Sequence, residues 1–275
     1  MAFQEIIYEV GDGIALITFN RPHRLNAINP VMGDEFRRAM EMAAADPAVR
    51  VLILTGAGKA FCAGWDLERG GDAFDGNARA GDRPGGPRGG ARNYVRSYFE
   101  FPKPMIAAYN GSVTGVGTSM TMLFDIRIAA RSARVGFAFN RRGVLPELAL
   151  PWLLPKIVGL SRATELMLTG RMVPADEALE WGLVSRVVPD EELLPAARQL
   201  AREIIDNCAP VSTALTRRMI YEYLGETDIG RAVEDNQRYF AWSGKQPDAR
   251  EGIMSFLEKR PPRWSMTVPG HMPEF

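Results

Sequence analysis

The sequence is poor in the side chains that bind metals and form cross-links. Its 275 residues include two cysteines and two histidines. Cys62 and Cys208 lie far apart and share no metal or redox spacing. They read as two small buried apolar side chains in a reducing compartment, the cytoplasm. His23 and His271 cannot build a histidine-rich metal site, so no metal is expected. An excess of charge is missing too. The 33 basic residues balance 33 acidic ones, which argues against nucleic acid as a partner, because phosphate binding needs a positive field. No apolar run has the length to span a bilayer, so no membrane is expected. Met1 to Val10 lacks the basic-then-apolar pattern of a leader. The closing Pro-Glu-Phe is not a peroxisomal address.

What remains is an ordinary globular composition, 46% apolar and 24% charged, long enough for one generous core with a smaller appendage. Ile6 to Val10 and Ile14 to Phe19 read as strands around Gly11-Asp-Gly13, a hairpin signal. Asn29-Pro30 is a helix start, and Met32, Phe36, Met40 and Ala43 recur at helical spacing. Val51 to Thr55 reads as a strand. Further on come Met105 to Tyr109 (strand), Gly117 to Phe124 (helix), then Ile126 to Ala130 and Val135 to Phe139 (strands). This order predicts a spiral of ββα units, not a doubly wound sheet. From Leu194 the pattern is helical: Leu194 to Asn207, Val211 to Leu224, Ile229 to Trp242, Ala249 to Leu257. Gly81 to Gly90 is a low-complexity run, read as a surface loop, with a mobile flap as its functional alternative.

Two stretches carry chemistry. In each, an apolar strand feeds a turn of small residues: Gly56-Ala-Gly-Lys-Ala-Phe-Cys-Ala-Gly-Trp-Asp66 and Asn110-Gly-Ser-Val-Thr-Gly-Val-Gly117. Such turns let backbone approach a ligand closely, and a helix beginning there aims free N–H groups at it. Either turn alone could be a tight packing corner. As a pair, they could each give one N–H to a single oxyanion. Neither is a nucleotide loop: Gly111 to Ser119 lacks the lysine of a phosphate loop, and Gly56-Ala-Gly58 lacks the third glycine of a dinucleotide fingerprint.

With these turns, the sequence resembles the enoyl-CoA hydratase/isomerase (crotonase) superfamily. The likeness rests on Ala63-Gly64-x-Asp66, Lys103-Pro-x-Ile-Ala-Ala-x-Asn-Gly111 and Gly115-x-Gly117. Asn20-Arg-Pro22 and Leu25-Asn-Ala27 fit at the N-terminal side. Leu168-Thr-Gly170, Ala175, Ala178, Gly182-Leu-Val184 and Val187 fit in the middle. Glu251-Gly-x-x-x-Phe256-Leu-Glu-Lys259-Arg fits near the end. The motifs run in family order over nearly the whole chain. The resemblance implies an α/β crotonase-like spiral core over 1–195, and a C-terminal helical trimerisation region over 196–275. It places the oxyanion donors at the N–H groups of Ala63 and Val116.

The two glutamates that family hydratases use are absent. Ser119 and Phe139 stand in their places, and neither can activate water at neutral pH. One carboxylate remains in the region, Glu147 in Gly143-Val-Leu-Pro-Glu-Leu-Ala-Leu150. Its position matches the base of Δ3,Δ2-enoyl-CoA isomerases of the peroxisomal type. Its apolar neighbours Val144, Leu145, Leu148, Leu150 and Trp152 predict a raised pKa suited to a general base. Without the resemblance it reads as a helix-start carboxylate. Asp66, Glu68, Asp72 and Asp75 are the other acids nearby. Glu68 or Asp72 could be a second acid if the flap closes. Arg141 and Arg142 read as surface or phosphate-facing, and Asp125 as structural.

The resemblance also implies an acyl-CoA thioester substrate, with no cofactor beyond the CoA it carries. Arg24, Asn26, Ala27 and the Lys59 to Leu67 loop (Lys59, Ala60, Phe61, Ala63, Trp65, Asp66, Leu67) would line adenine and pantetheine. Gly115 and Phe139 would also touch the substrate, with Val116 narrowing the acyl pocket. Phe256 and Lys259 of a neighbouring subunit would close over the phosphates, in a homotrimer or hexamer. The expected reaction is double-bond isomerisation. Hydration with an atypical acid set is second, and thioester hydrolysis or C–C cleavage third. A silent CoA-binding protein is the reading from another class. Some relatives bind RNA, which the neutral charge balance disfavours here.

Overall fold

The computed structural model describes residues 3–68, 70–74 and 90–274. Asp75 and the low-complexity run up to residue 89 lie outside them. Two sheets carry the fold. The larger has the strand order β1 (Ile6–Gly11), β2 (Ile14–Phe19), β3 (Val51–Gly56), β5 (Met105–Tyr109), β7 (Ile126–Ala130), β10 (Arg186–Val188). The smaller has the order β4 (Ala60–Cys62), β6 (Ser112–Val113), β8 (Arg134–Gly136), β9 (Met172–Pro174). β1 and β2 form the expected antiparallel hairpin. Asp12 and Gly13, at φ 53° and 78°, turn it with the positive dihedrals such two-residue turns need.

From β2 onward the larger sheet is parallel. β3 and β5 are buried along their whole length, as parallel strands covered on both faces must be. Each of the pairs β3/β4, β5/β6 and β7/β8 places one strand in each sheet. A helix follows each pair: α2 (Gly90–Phe99), α3 (Val116–Met122) and α4 (Leu150–Val158). This is the ββα spiral the sequence predicts. α1 (Pro30–Ala45) precedes it, and the Asn29 side chain accepts from the Met32 amide at 2.9 Å. At its far end the buried Lys103 ammonium donates to the carbonyls of Ala43 and Asp46, both at 2.6 Å.

Two sequence expectations are corrected. The strand expected over Val135 to Phe139 stops at Gly136, and Phe139 instead opens the short 3-10 turn Asn140–Arg142. Cys62 is buried, and burial pushes its thiol up to about 12, but Cys208 is exposed.

α5 (Leu160–Thr169) and α6 (Ala175–Glu180) lead to the C-terminal helices α7 (Leu193–Asn207), α8 (Pro210–Glu222), α9 (Ile229–Ser243) and α10 (Pro247–Leu257). α7 lies on β3, β5 and β7, and its Leu193, Ala197, Leu200 and Ala201 belong to the main core. A division at 195/196 therefore falls inside α7. A second, small core begins at Val211 and includes Leu215, Tyr239 and Val268. Asp125 is structural, as expected. It accepts from the Met105 amide, Arg217 and the Tyr221 hydroxyl at 2.6–2.8 Å, and so ties α8 to β5. No helix among the described residues is long and apolar enough to cross a membrane.

Candidate active site

The site begins where β4 and β6 end side by side. They are parallel, and the Thr114 amide donates to the Cys62 carbonyl at 2.9 Å, so the two corners leave the sheet together. At the first corner Gly64 has φ +95°, and at the second Gly115 has φ +58°. A Cβ on Gly64 would lie 3.3 Å from the Thr114 carbonyl oxygen, and one on Gly115 3.3 Å from the Gly64 Cα. Sign of φ and closeness both select glycine. A Cβ on Gly117 would lie 2.8 Å from the Cys62 side chain, so α3 presses its first turn against β4. Val116 opens α3. Its N–H has no acceptor within the helix, and none among the described residues.

The first corner corrects the expectation for Ala63. Its N–H donates to the Leu25 carbonyl at 3.0 Å, and the Asp66 N–H donates to the Ile28 carbonyl at 2.9 Å. In return the Gly64 carbonyl accepts from the Ile28 amide at 2.7 Å. The Leu25 to Ile28 segment thus zips onto the corner and consumes the Ala63 donor. A buried ion pair locks the zip. Arg21 sits 2.9 Å from Asp66 and 3.2 Å from Glu5. Burial pushes the Asp66 carboxyl up, but the Arg21 hydrogen bond, with the Glu68 amide, prevails and holds it below the usual carboxylate range.

Asn26 is corrected as well. It is fully buried. Its Oδ1 accepts from the Arg21 amide at 2.9 Å, and its Nδ2 donates to the carbonyls of Ala57 and Ala60 at 2.9 and 2.7 Å. Every polar atom of the side chain is used inside the fold, so it positions the loop and does not line it. Phe61 is likewise core, edge-on to Phe19 and Tyr109. Ala27 and Ala60 are buried beside them, while Lys59, Leu67 and Arg24 are exposed at the rim. The sequence reading missed Asn110, whose Oδ1 accepts from the Gly56 amide at 3.0 Å and whose Nδ2 donates to the Gly58 carbonyl at 2.9 Å. An Asn-Gly pair directly after a strand was its signal.

Glu147 reaches this corner. The Trp65 indole N–H donates to its Oε1 at 3.2 Å. Glu147 is half-buried, just ahead of α4. The backbone behind it is held in left-handed conformations at Leu148 and Ala149, φ 52° and 58°, an arrangement that costs about 1–3 kcal/mol per residue and concentrates at functional sites. Among its expected apolar neighbours, Leu150 is buried and Val144 and Leu148 pack on the core. Leu145 is 83% exposed and Trp152 43%, so those two do not dry the carboxylate. Tyr94 of α2 lies within range of its charge: burial first, then Glu147, raise the Tyr94 phenol above its ordinary value.

Ser119 and Phe139 are buried. Glu68 pairs with Arg24 at 3.0 Å on the surface, and Asp72 is exposed on the short turn Gly70–Phe74. Arg141 and Arg142 are exposed. Phe256, 82% exposed, and Lys259 stand in solvent at the end of α10 and just beyond it.

Residues 9–267 match the family model described as enoyl-CoA hydratase/isomerase. The chain belongs to the enoyl-CoA hydratase/isomerase family. It is similar to 1,2-epoxyphenylacetyl-CoA isomerase of Escherichia coli (strain K12), 37% identical over 94% of this chain and 98% of that one. It is also similar to crotonyl-CoA hydratase of Syntrophomonas wolfei, 36% identical over 94% and 97%. Among solved structures, a probable enoyl-CoA hydratase/isomerase from Mycobacterium abscessus superposes with TM-score 0.84 at 35% identity, covering 95% of this chain and 98% of that one. The fold is therefore the crotonase spiral, and the protein is an enzyme of that family.

Proposed function

We propose that this family member isomerises the double bond of an enoyl-CoA thioester, with Glu147 as its single base. The thioester oxygen accepts the Val116 N–H from one corner and an N–H of the Gly64-Trp65 segment from the other. Glu147 takes a proton from the α-carbon of a 3-enoyl thioester. The electron pair spreads into a dienolate held by the two amides, and the same carboxyl returns the proton to the γ-carbon, giving the 2-enoyl isomer. A backbone donor of this kind lowers the barrier by about 3 kcal/mol.

One observation carries the reading: the hydrogen bond from Trp65 to Glu147 ties a carboxylate to the corner that touches Gly115. Isomerisation needs one acid/base group; hydration needs a second. Of the acids considered for that second role, Glu68 is engaged with Arg24 at the surface. CoA is the handle of the substrate and no other cofactor takes part. Arg24, Lys59 and Leu67 border its adenine and pantetheine, with Ala27 and Ala60 behind them. Phe256 and Lys259 come from a neighbouring subunit of a homotrimer or hexamer in the cytoplasm.

Matched 2-enoyl and 3-enoyl thioesters decide the reaction: the 3-enoyl compound is converted to its 2-enoyl isomer without uptake of water. Glu147→Gln loses deuterium exchange at the α-carbon while retaining thioester binding. Exchange that survives the substitution refutes Glu147 as the base, and a wild-type protein that binds the thioester without exchange is a silent CoA binder.

A further inference from the structure

The C-terminal helix α8 reaches the wall of the site through one side chain. Helix α2 ends at Phe99, and its last carbonyls have no amide partner within the helix. Arg217 of α8 meets them. Its guanidinium donates to the carbonyls of Tyr98 and Phe99 and to that of Phe101 just past the helix, at 2.5–2.9 Å. Its Nε donates to Asp125 at 2.8 Å. The residue is buried, 5% exposed. A cation in this place also meets the negative end of the α2 dipole. A lysine ammonium carries its three donors on one atom and cannot span these four acceptors.

Other elements converge on this grip. The Phe99 ring stacks on Tyr221, one turn beyond Arg217 on α8, with centroids 4.8 Å apart, and leans on Trp152 of α4 at 6.4 Å. Just past α8, a Cβ on Gly225 would lie 3.6 Å from the same indole. Tyr98 meets Phe124, just past α3, at 6.2 Å. α3 opens with Val116, and α4 opens three residues after Glu147. One turn back along α2, the Tyr94 hydroxyl bonds that of Tyr98 at 2.9 Å, and its phenol is pushed up first by burial and then by the Glu147 charge. The end of α2 that Arg217 holds is therefore braced against both helices of the site, and its next turn lies within range of the charge of the base.

We propose that Arg217 is a positioning residue for the reaction: it fixes α2 against α4 and so fixes the reach of Glu147 to the acyl chain. This rests on the reading of Glu147 as the base. A base that serves two carbons of one chain tolerates little displacement, and a misplacement of about 1 Å costs up to about 100-fold in rate. Arg24, Lys59 and Leu67, the rim residues proposed to hold CoA, belong to other elements, so binding is spared.

The test compares three variants of the full chain on a 3-enoyl thioester, each below its own melting temperature. Arg217→Lys keeps the charge beside Asp125 and loses the fork; its kcat falls at least about 10-fold while KM stays within about twofold of the wild type. Phe99→Leu leaves Arg217 in place and removes the ring between α2 and Trp152; it shows the same split, and it carries the test if Arg217→Lys does not fold. Tyr221→Phe keeps the ring stack and drops the hydroxyl bond to Asp125 at 2.6 Å; it melts lower yet keeps the wild-type kcat. A folded Arg217→Lys or Phe99→Leu with the wild-type kcat overturns the inference. So does a kcat that falls in Tyr221→Phe as well, since loss of stability alone then explains all three. If Glu147→Gln still abolishes exchange at the α-carbon, the reading of the base outlives either result. If exchange survives Glu147→Gln, the base is another group and both readings fall.

Discussion

Side chains buried beside the site do most of their work by holding backbone. Asn26 illustrates this: it sits at φ +55°, which asparagine tolerates better than most residues, and spends its amide on Arg21, Ala57 and Ala60. Asn26→Ala leaves the Arg21 amide and the Ala57 carbonyl without this partner, and the Ala60 carbonyl with only the longer bond from Asn110 at 3.4 Å. The expected cost in urea unfolding is at least about 3 kcal/mol; a cost under about 1 kcal/mol would return Asn26 to the set of ligand contacts. Trp65 acts on Glu147 through its indole N–H. Trp65→Phe keeps an aromatic ring and removes the N–H donor. The bond orients the carboxylate, and a hydrogen bond to a charged group contributes about 1.5–3 kcal/mol, so with the base less well positioned kcat falls about 10-fold while KM stays in place. An unchanged kcat would show that the indole bond does not position the base.

The corners matter at the level of elements because each joins a strand of the small sheet to the machinery in front of it. Gly64→Ala forces a Cβ toward the Thr114 carbonyl at a positive φ and pries the corners apart. The predicted result is a fall in kcat of about 100-fold, with CoA alone still bound, since the displacement falls on the oxyanion donors; equal losses in both would mean that the corner merely unfolds. α1 offers a test by pH. Burial pushes the Lys103 ammonium down to about 8, against the opposing pull of the Asp46 charge. Between that value and the ordinary value of 10.5, the unfolded chain holds a proton that the folded chain has released. Raising the pH through this window therefore stabilises the fold. Below it the ammonium is charged in both states, and its burial cost is borne in full. Lys103 should therefore add a rise to the unfolding free energy measured from pH 8 to 10, and Lys103→Met should lose that rise; parallel curves would show that the carbonyls of Ala43 and Asp46 keep the lysine charged throughout.

At the scale of the whole molecule, the spiral was legible because its strands are short apolar runs between turn residues, and because the Asn29-Pro30 cap and the Gly64 and Gly115 corners announce themselves locally. The contacts that assemble the site were not legible. Asn26 onto Ala60, Arg21 onto Asp66 and Trp65 onto Glu147 join residues that only the finished spiral brings together. The Ala63 amide failed as a donor because the carbonyl of Leu25, far upstream in the chain, claims it first. The same limit applies to the outer surface, where a single chain shows what it leaves uncovered. Ile229, Val233 and Phe240 fall on one stripe of α9, and Ile253, Phe256 and Leu257 on one face of α10, all exposed. Apolar stripes of this kind on adjoining helices mark a surface made to be covered. If a second copy of the chain covers them, Phe240→Glu converts the assembly to monomers, read by light scattering after size-exclusion chromatography. The monomers should also show a KM for acyl-CoA raised about 10-fold, because Phe256 and Lys259 no longer close over a neighbour's nucleotide. A wild-type protein that is itself monomeric at micromolar concentration would remove the neighbouring subunit from the proposed site, and a rise in KM without dissociation would place Phe240 in the site of its own chain.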